Sequence, residues 1–338
     1  MELPAPIPIR DYEGIDRARF DAEIRPARQP AVFRGLARDW PAVQAGRTSS
    51  EAAIAYLKRF SHEQPVQAIV GPPEIEGRFF YTPDLKSVNF QRGLSPLDPF
   101  LDRLLRDQNR DRPFAMAIQS SEIPEALPGF AEENRTDLVD ADVVPRIWLG
   151  NAIHVATHYD LKENVGVVMA GRRRFTLFPP DQVANLYPGP LEPTPGGQVV
   201  SMVDLRAPNF DRFPKFREAL ESAQIAELEP GDLLIYPAMW WHNVEALEPF
   251  NVMVNYWWNA VPRFVDTPMI TLKHALLSLR DRPEHEKAAW RELFDYYVFG
   301  DPKQAAAHLP EHVRGPLGPM DDVSSRRLRA DILARLNR

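Results

Sequence analysis

Two stretches in the middle of the chain have the residue pattern of β-strands. Residues 165–178 are mostly apolar around a central Ala170-Gly171 pair, and two prolines follow them. This pattern predicts a β-hairpin, because glycine suits a tight turn and proline cannot extend a strand ladder. Residues 229–237 begin with a Pro-Gly turn, continue as an apolar run and stop at a proline. This second pattern predicts another strand.

The chain after Pro262 has the apolar spacing of helices instead. Apolar side chains recur three or four positions apart in two successive stripes, which predicts two amphipathic helices. The first stripe is Leu272, Leu276 and Leu279, and the second is Trp290, Leu293, Phe294 and Tyr297. These stripes either pack on the chain's own sheets or form an interface between two copies of the chain.

The two patterns divide the chain into three predicted regions. Residues 1–110 are a mixed α/β flanking region, residues 111–262 are a strand-rich core, and residues 263–338 are helical. A polar insert with several prolines and glycines, residues 187–197, interrupts the core. Inserts of this kind usually form surface loops, so we expect this one at the surface, where it can cover a substrate.

Composition and charge exclude several classes of protein. The 338 residues include no cysteine, which excludes disulfides and thiolate catalysis and leaves nitrogen and oxygen atoms as metal ligands. A net charge of −7 opposes bulk affinity for nucleic acid. The N-terminus lacks the pattern of a signal peptide, and no apolar run reaches the length of a membrane span. We therefore expect a cytoplasmic protein with neither a membrane nor a nucleic-acid partner.

Three side chains predict a metal site. His158 and Asp160 are two residues apart, and side chains two apart on a β-strand point to the same face. His242 follows the second predicted strand. Two histidines and one carboxylate on one face of a metal leave positions open for a co-substrate and O2, which is the arrangement of non-haem Fe(II) oxygenases. The alternative is two ordinary, partly buried histidines that two separate strands bring together by coincidence.

Several blocks of sequence surround these three residues. They are Arg146–Gly150 and Thr157–Asp160, Gly171–Gln182 with Leu186–Pro188, Phe210–Phe216, Trp240–His242 and Val254–Trp257, preceded by Gln29–Leu36 and Asp39–Pro41. In these blocks the chain resembles the cupin-like JmjC dioxygenases related to the asparaginyl hydroxylase that inhibits hypoxia-inducible factor. The resemblance implies a mainly β fold with flanking helices. It would be a double-stranded β-helix of the cupin or jelly-roll type with a C-terminal helical region.

The resemblance also implies an Fe(II)- and 2-oxoglutarate-dependent oxygenase. His158, Asp160 and His242 would be the catalytic metal ligands, and O2 and 2-oxoglutarate would take the open metal positions. Decarboxylation of 2-oxoglutarate to succinate would accompany hydroxylation of a peptide side chain or a small molecule. The alternatives are a cupin-type protein that binds metal without using 2-oxoglutarate, a zinc enzyme, and a binding module without activity.

Three further residues lie at family positions that bind the co-substrate. Arg173 stands where the family has a lysine that binds the distal carboxylate of 2-oxoglutarate, and its planar guanidinium suits a carboxylate. Strand alternation turns Arg173 to one face and its two arginine neighbours to the other, unless all three lie outside. Asn164 and Asn255 would help to hold the co-substrate, and a turn cap or a cross-strand hydrogen bond is the alternative. Val155 replaces a threonine that is common in the family.

Aromatic side chains carry the predictions on substrate and assembly. The four residues Trp240, Trp241, Trp257 and Trp258 are expected near the mouth of the barrel, where they would suit a peptide or an aromatic small molecule. The related hydroxylase forms a dimer through its C-terminal helices. The resemblance therefore favours a homodimer through residues of about 265–300.

Overall fold

Two β-sheets form the main part of the protein in a computed structural model, which describes residues 4–62, 64–259 and 261–337. Within these residues the strands are β1 (Ile7–Pro8), β2 (Asp11–Tyr12), β3 (Ala31–Phe33), β4 (Val66–Gly71), β5 (Arg78–Phe79), β6 (Gln91–Ser95), β7 (Ala115–Glu122), β8 (Pro145–Gly150), β9 (His154–Tyr159), β10 (Glu163–Ala170), β11 (Arg173–Phe178), β12 (Gln224–Leu228), β13 (Leu233–Tyr236), β14 (Trp241–Ala246) and β15 (Asn251–Trp258). The smaller sheet has the order β1-β12-β11-β14-β9-β5, and the larger has the order β2-β3-β13-β10-β15-β8-β7-β4-β6.

Helices cover the sheets and form the end of the chain. In the described residues the α-helices are α1 (Arg17–Arg19), α2 (Arg25–Ala27), α3 (Pro41–Thr48), α4 (Ser50–Lys58), α5 (Leu97–Asp107), α6 (Ile123–Ala126), α7 (Phe130–Glu133), α8 (Phe216–Glu221), α9 (Pro268–Ser278), α10 (Glu284–Phe294), α11 (Pro302–Ala306) and α12 (Asp322–Leu336). Short 3-10 turns are Pro73–Ile75, Pro180–Ala184, Glu311–Val313 and Gly315–Leu317, and π-helical turns are Phe20–Ile24 and Asp295–Phe299. None of the helices in this described part is both long and apolar enough to span a bilayer.

The eight strands β8 to β15 build a double-stranded β-helix. Strands β8, β10, β13 and β15 lie in the larger sheet, and strands β9, β11, β12 and β14 lie in the smaller one. The inner faces pack together, since Val168 and Leu234 of the larger sheet share a hydrophobic core with Phe175 and Val244 of the smaller sheet. The predicted fold, mainly β and of the cupin or jelly-roll type with a C-terminal helical region, is confirmed.

The predicted hairpin over residues 165–178 is wrong. Both of its strands exist, but β10 pairs with β13 and β15 in one sheet, whereas β11 pairs with β12 and β14 in the other. The chain crosses between the sheets at Gly171, which has a φ of +70° and whose Cβ, if it had one, would collide with the side chain of Asn251. Glycine is needed at this crossing because the backbone is left-handed and closely approached.

Strand β10 is buried on both of its faces, which explains its continuous apolar sequence. Val168 lies in the core between the sheets. Val165, Val167 and Met169 lie in a second core, which they share with residues of α3, α4 and α5. Helix α3 approaches β10 so closely that a side chain at Gly46 would collide with the Met169 carbonyl. The larger sheet is therefore covered by helices on its outer face.

The chain divides after Trp258 into two compact units. Strands from residues 1–110 lie in the same two sheets as the strands of the core. The predicted division of the chain into three regions stays a prediction. The second unit contains α9 to α12. In its described residues only Ala305, Ala306 and Ser325 are buried. This unit therefore has very little hydrophobic core of its own.

Candidate metal centre

Three potential metal ligands lie together where β9 and β14 run side by side. His158 on β9 and His242 on β14 are in register across this antiparallel pair, and Asp160 follows the end of β9. The ligand atoms of the three side chains lie within 4.8 Å of one another. The distance from Nε2 of His242 to Oδ2 of Asp160 is 3.6 Å. Two atoms that each bind one ion at about 2.1 Å are about 3.0–3.5 Å apart, so the group needs little movement to hold a metal.

The turn before β14 is joined to the segment that carries Asp160. Met239 has a φ of +69°, which is unusual for a residue with a side chain. Its backbone N–H donates to the carbonyl oxygen of Asp160 at 2.8 Å. This contact links the turn before His242 to the segment that carries the carboxylate. The strained backbone lies beside the three candidate ligands, as strain often does at functional sites.

The backbone fixes the orientation of both imidazole rings. Nδ1 of His158 lies 2.9 Å from the carbonyl oxygen of Ala156, and Nδ1 of His242 lies 3.0 Å from that of Trp240. A carbonyl oxygen only accepts, so each Nδ1 carries a proton and each Nε2 is left with its lone pair for a metal. Burial, together with the nearby His158, lowers the pKa of His242 to about 4. The ring is therefore neutral at pH 7, as metal binding requires.

A buried chain of hydrogen bonds leads from the carboxylate into the larger sheet. Nδ2 of Asn164 donates to Oδ2 of Asp160 at 3.1 Å. Nδ2 of Asn255 donates to Oδ1 of Asn164 at 3.4 Å, and the indole N–H of Trp148 donates to Oδ1 of Asn255 at 2.7 Å. Asn164 and Asn255 are only 1% and 2% exposed. The two predicted asparagines thus lie at the cluster, and Trp148, which the sequence reasoning missed as a hydrogen-bond donor, completes the chain.

Arg173 is a buried cation that forms no ion pair with any described residue. It is 4% exposed, and its Nε has no hydrogen-bond partner among the described residues. Its neighbours on the strand face outward, where Arg172 pairs with Glu248 and Arg174 pairs with Glu245. Burial lowers the pKa of Arg173 to about 10, so the group is still charged at neutral pH. An anion that enters the barrel would find an unpaired guanidinium there.

Tyr236 is a further polar residue beside the cluster that sequence reasoning missed. Its ring centroid is 4.7 Å from that of His242. Burial, and then the charge of Asp160, raises the pKa of this tyrosine well above its ordinary value. The side chain is therefore a neutral phenol at every physiological pH. Its place at the end of β13, directly before the proline, was the only signal in the sequence.

A cavity of about 570 Å³ opens beside Asp160. Trp148 and Trp257 of the larger sheet line it, together with residues 196–198 at and directly after the end of the predicted insert. Of the four tryptophans expected near the mouth, Trp257 lines this cavity and the other three do not. Trp240 and Trp241 are buried in hydrophobic cores, and Trp258 packs against another core. Their apolar surface stabilises the fold, whereas Trp257 is placed to contact a ligand.

Comparisons with known proteins agree with this architecture. A family model described as a cupin-like domain matches residues 17–264. The chain is 26% identical over 284 residues to the Gallus gallus protein named tRNA wybutosine-synthesizing protein 5, which covers 77% of this chain and 80% of that protein. It is 35% identical over 246 residues to HSPB1-associated protein 1 of Bos taurus, covering 68% and 48% of the two chains. It is 33% identical over 278 residues to lysine-specific demethylase JMJ31 of Arabidopsis thaliana, covering 75% and 50%.

Proposed function

The chain belongs to the family of proteins with a cupin-like domain, and from that premise we propose that it is an Fe(II)- and 2-oxoglutarate-dependent oxygenase. Bound together, Fe(II) and 2-oxoglutarate supply oxidative decarboxylation of the co-substrate to succinate and CO2, coupled to insertion of one oxygen atom of O2 into a substrate C–H bond. The closer relation to the asparaginyl hydroxylase remains a prediction from the sequence blocks.

The protein's own side chains suit this ion. His158, Asp160 and His242 would hold Fe(II), since backbone carbonyls engage both Nδ1 atoms, which leaves each Nε2 for a metal, and the carboxylate lies within reach. Three protein ligands leave the remaining positions of an octahedral ion open for other molecules. The carboxylate would be oriented by Asn164, whose amide donates to one of its oxygens. Such partners of metal ligands fix ligand geometry and strengthen metal binding.

Arg173 is the observation that carries the choice of co-substrate. A metal cluster alone would equally suit a cupin-type enzyme that does not use 2-oxoglutarate. A buried, unpaired cation is costly, so its presence favours an anionic ligand that neutralises it. On β11, Arg173 is four residues from Leu177, which is in register with His242. At roughly 3.3 Å per residue, the backbone positions of Arg173 and Leu177 are about 13 Å apart along the strand. That separation leaves room for a five-carbon dicarboxylate between the metal ligands and the guanidinium.

Asn164 and Asn255 would contribute to the same co-substrate site. Their side-chain amides lie between Trp148 and Asp160 in the buried chain of hydrogen bonds. A dry site strengthens polar contacts because few water molecules compete for the same donors. We infer that the two amides place the carboxylate ligand and present their remaining polar atoms to the co-substrate.

The names of the relatives point to different substrates. One is named for tRNA wybutosine synthesis and another as a lysine-specific demethylase, so the names do not agree on a substrate for this chain. The net charge of −7 opposes a large nucleic-acid interface. A peptide side chain or a small molecule therefore remains the proposed substrate.

Succinate formation tests the proposed function. The purified protein with Fe(II) and 2-oxoglutarate should release succinate, and Asp160→Ala should release none above the background without protein. A wild-type protein that binds iron but forms no succinate with any substrate pool would favour the alternative cupin-type function. Activity with Zn(II) and without O2 would favour a zinc enzyme.

We propose a homodimer through residues of about 265–300 of the C-terminal unit. Its helices expose large apolar side chains, including Leu277 at 81% and Phe299 at 75%. An exposed apolar surface of this kind is usually covered in a soluble protein. A second copy of the chain offers the same surface, and a two-fold interface would cover both at once.

A further inference from the structure

The cavity beside Asp160 extends across five neighbouring strands of the larger sheet. Its lining includes Trp257 on β15, Trp148 on β8, Gln119 on β7, Gln67 on β4 and Arg92 on β6. These strands are adjacent in the order β15-β8-β7-β4-β6. Neighbouring strands are about 4.8 Å apart, so the four spacings extend about 19 Å from Trp257 to Arg92. The cavity is therefore a groove, with Asp160 near one end and Arg92 at the other.

A second cavity continues this groove. It has a volume of about 350 Å³ and shares Gln67, Gln119, Ser120 and Arg146 with the first. Its remaining lining includes residues 64–66 and two acidic residues, Glu122 and Glu125. The second cavity therefore extends the groove, which is longer than a compact small molecule needs.

The floor of the groove is held in one shape by Arg146. Its guanidinium donates to the carbonyl oxygen of Ser120 at 2.8 Å and forms an ion pair with Glu122. Ser120 has a φ of +55° at an irregularity between β7 and β8. The bulge and its hydrogen bonds shape the groove before any ligand binds, and the charge of Arg146 is already neutralised.

The insert of residues 187–197 contributes to the wall of the groove. The hydroxyl of Tyr81 donates to the carbonyl oxygen of Pro193 at 3.0 Å, and the guanidinium of Arg92 donates to that of Pro195. These two contacts attach the insert to the rest of the first unit. Gly196 and Gly197 of this insert, and Gln198 directly after it, line the groove. The groove is therefore lined both by the larger sheet and by the end of the insert.

Two cations in the groove have no acidic partner. Neither Arg92 nor Lys162 forms an ion pair with any residue in the described part of the chain, and both line the groove. The negative charge of Asp160 would be neutralised by the bound metal ion. The side chains of Gln67, Gln119 and Gln198 add donors and acceptors of the kind that pair with peptide groups. The groove thus combines amide contacts with an unbalanced positive charge.

We propose that this groove binds an extended peptide segment that carries an acidic side chain. The reacting residue would lie at the Asp160 end, and Arg92 would bind the acidic side chain at the other end. An extended chain advances about 3.3 Å per residue, so about 19 Å corresponds to an acidic residue some five or six positions from the reacting one. The identity of the reaction rests on the proposed oxygenase function, but the binding does not.

Charge favours a peptide over a nucleic acid in this groove. A nucleic acid brings a phosphate with every nucleotide and would meet Glu122 and Glu125 in the second cavity. The whole chain also has a net charge of −7, which repels a polyanion. One or two carboxylates on a peptide need only the cations that the groove offers.

Selection from a random peptide library tests the proposal. The full chain, loaded with Mn(II) so that no turnover occurs, would be exposed to displayed peptides about 12 residues long, roughly twice the length that the groove spans. The selected peptides should share an aspartate or glutamate at one position. Arg92→Glu should reverse this choice to lysine or arginine and weaken binding of a selected acidic peptide roughly tenfold or more.

Arg38→Glu provides the matched control. Like Arg92, Arg38 is exposed and donates to a backbone carbonyl, in this case that of Gly35. Unlike Arg92, it does not line the groove. Its variant should select the same acidic peptides as the wild type. The proposal is overturned if no peptides are enriched, if Arg92→Glu keeps the acidic preference, or if an RNA oligonucleotide binds more tightly than the selected peptides. Because the readout is binding, it is separate from succinate formation, which tests the oxygenase activity.

Discussion

Replacing Arg173 with methionine removes a buried charge while it keeps most of the side-chain volume. Arg173 is 4% exposed, and its Nε has no partner in the described residues. We expect two opposite effects of this one change. The protein without co-substrate should become more stable, and its affinity for 2-oxoglutarate should fall.

The stability effect follows from the pKa of Arg173. Burial lowers this pKa to about 10, so the folded state disfavours the charged form. For a base whose pKa is lower in the folded than in the unfolded state, this free-energy cost is present at every pH below the folded-state pKa. It disappears only at pH values above the unfolded-state pKa. The shift corresponds to on the order of 3 kcal/mol. At pH 7, Arg173→Met should therefore unfold at a higher temperature than the wild type when no co-substrate is bound.

The binding effect has the opposite sign. A charge-assisted, bidentate contact between a guanidinium and a carboxylate contributes about 2–4 kcal/mol. Its loss should weaken 2-oxoglutarate binding about 30- to 800-fold. With saturating 2-oxoglutarate, the wild type should gain thermal stability, while the variant should gain little at the same concentration.

Calorimetric titration and thermal unfolding measure both effects, with Mn(II) in place of Fe(II) to prevent turnover. Arg174→Met is the matched control, because Arg174 is the next residue on the strand but faces outward and pairs with Glu227 and Glu245. The control should bind 2-oxoglutarate like the wild type. Unchanged 2-oxoglutarate affinity in Arg173→Met would refute the assignment of Arg173 to the co-substrate.

Two further predictions concern the metal ligands and the assembly. Asn164→Leu removes the amide that donates to Asp160, so iron affinity in a titration should fall about 10- to 100-fold; an unchanged affinity would show that the amide does not position the carboxylate. Leu293→Arg places a charge on the exposed apolar surface of α10, where Leu293 is 43% exposed. Light scattering should give a wild-type mass of twice 38.5 kDa and a monomeric or insoluble variant, and a monomeric wild type would contradict the proposed dimer.

The barrel fold is implied by the family resemblance, whereas the meeting of the three candidate metal ligands follows from local patterns. Spacing of two on a strand predicts that His158 and Asp160 point the same way, and the structure places both beside His242. The turn residues around 229–237 predict a strand, which is β13. Each of these patterns involves residues only a few positions apart, so it can be recognised without knowing how distant strands pair.

The pairing of distant strands could not be predicted in the same way. The pattern over residues 165–178 is that of two strands joined by a turn, but it contains nothing that tells a hairpin from a crossing between sheets. The hydrogen bond from Trp148 to Asn255 joins residues 107 positions apart. Arg92 reaches the groove only because β6 is the fourth strand from β15. Such contacts depend on strand order, which is a property of the whole fold.

Labelled oxygen gives the most direct test of the proposed oxygenase activity. In a 2-oxoglutarate-dependent oxygenase one atom of O2 enters succinate, so a reaction under 18O2 should give succinate with one labelled oxygen, detected by mass spectrometry. The wild type with Fe(II) should form this product, and Asp160→Ala should not. Succinate without the label, or labelled succinate formed equally by Asp160→Ala, would contradict an oxygenase built on His158, Asp160 and His242.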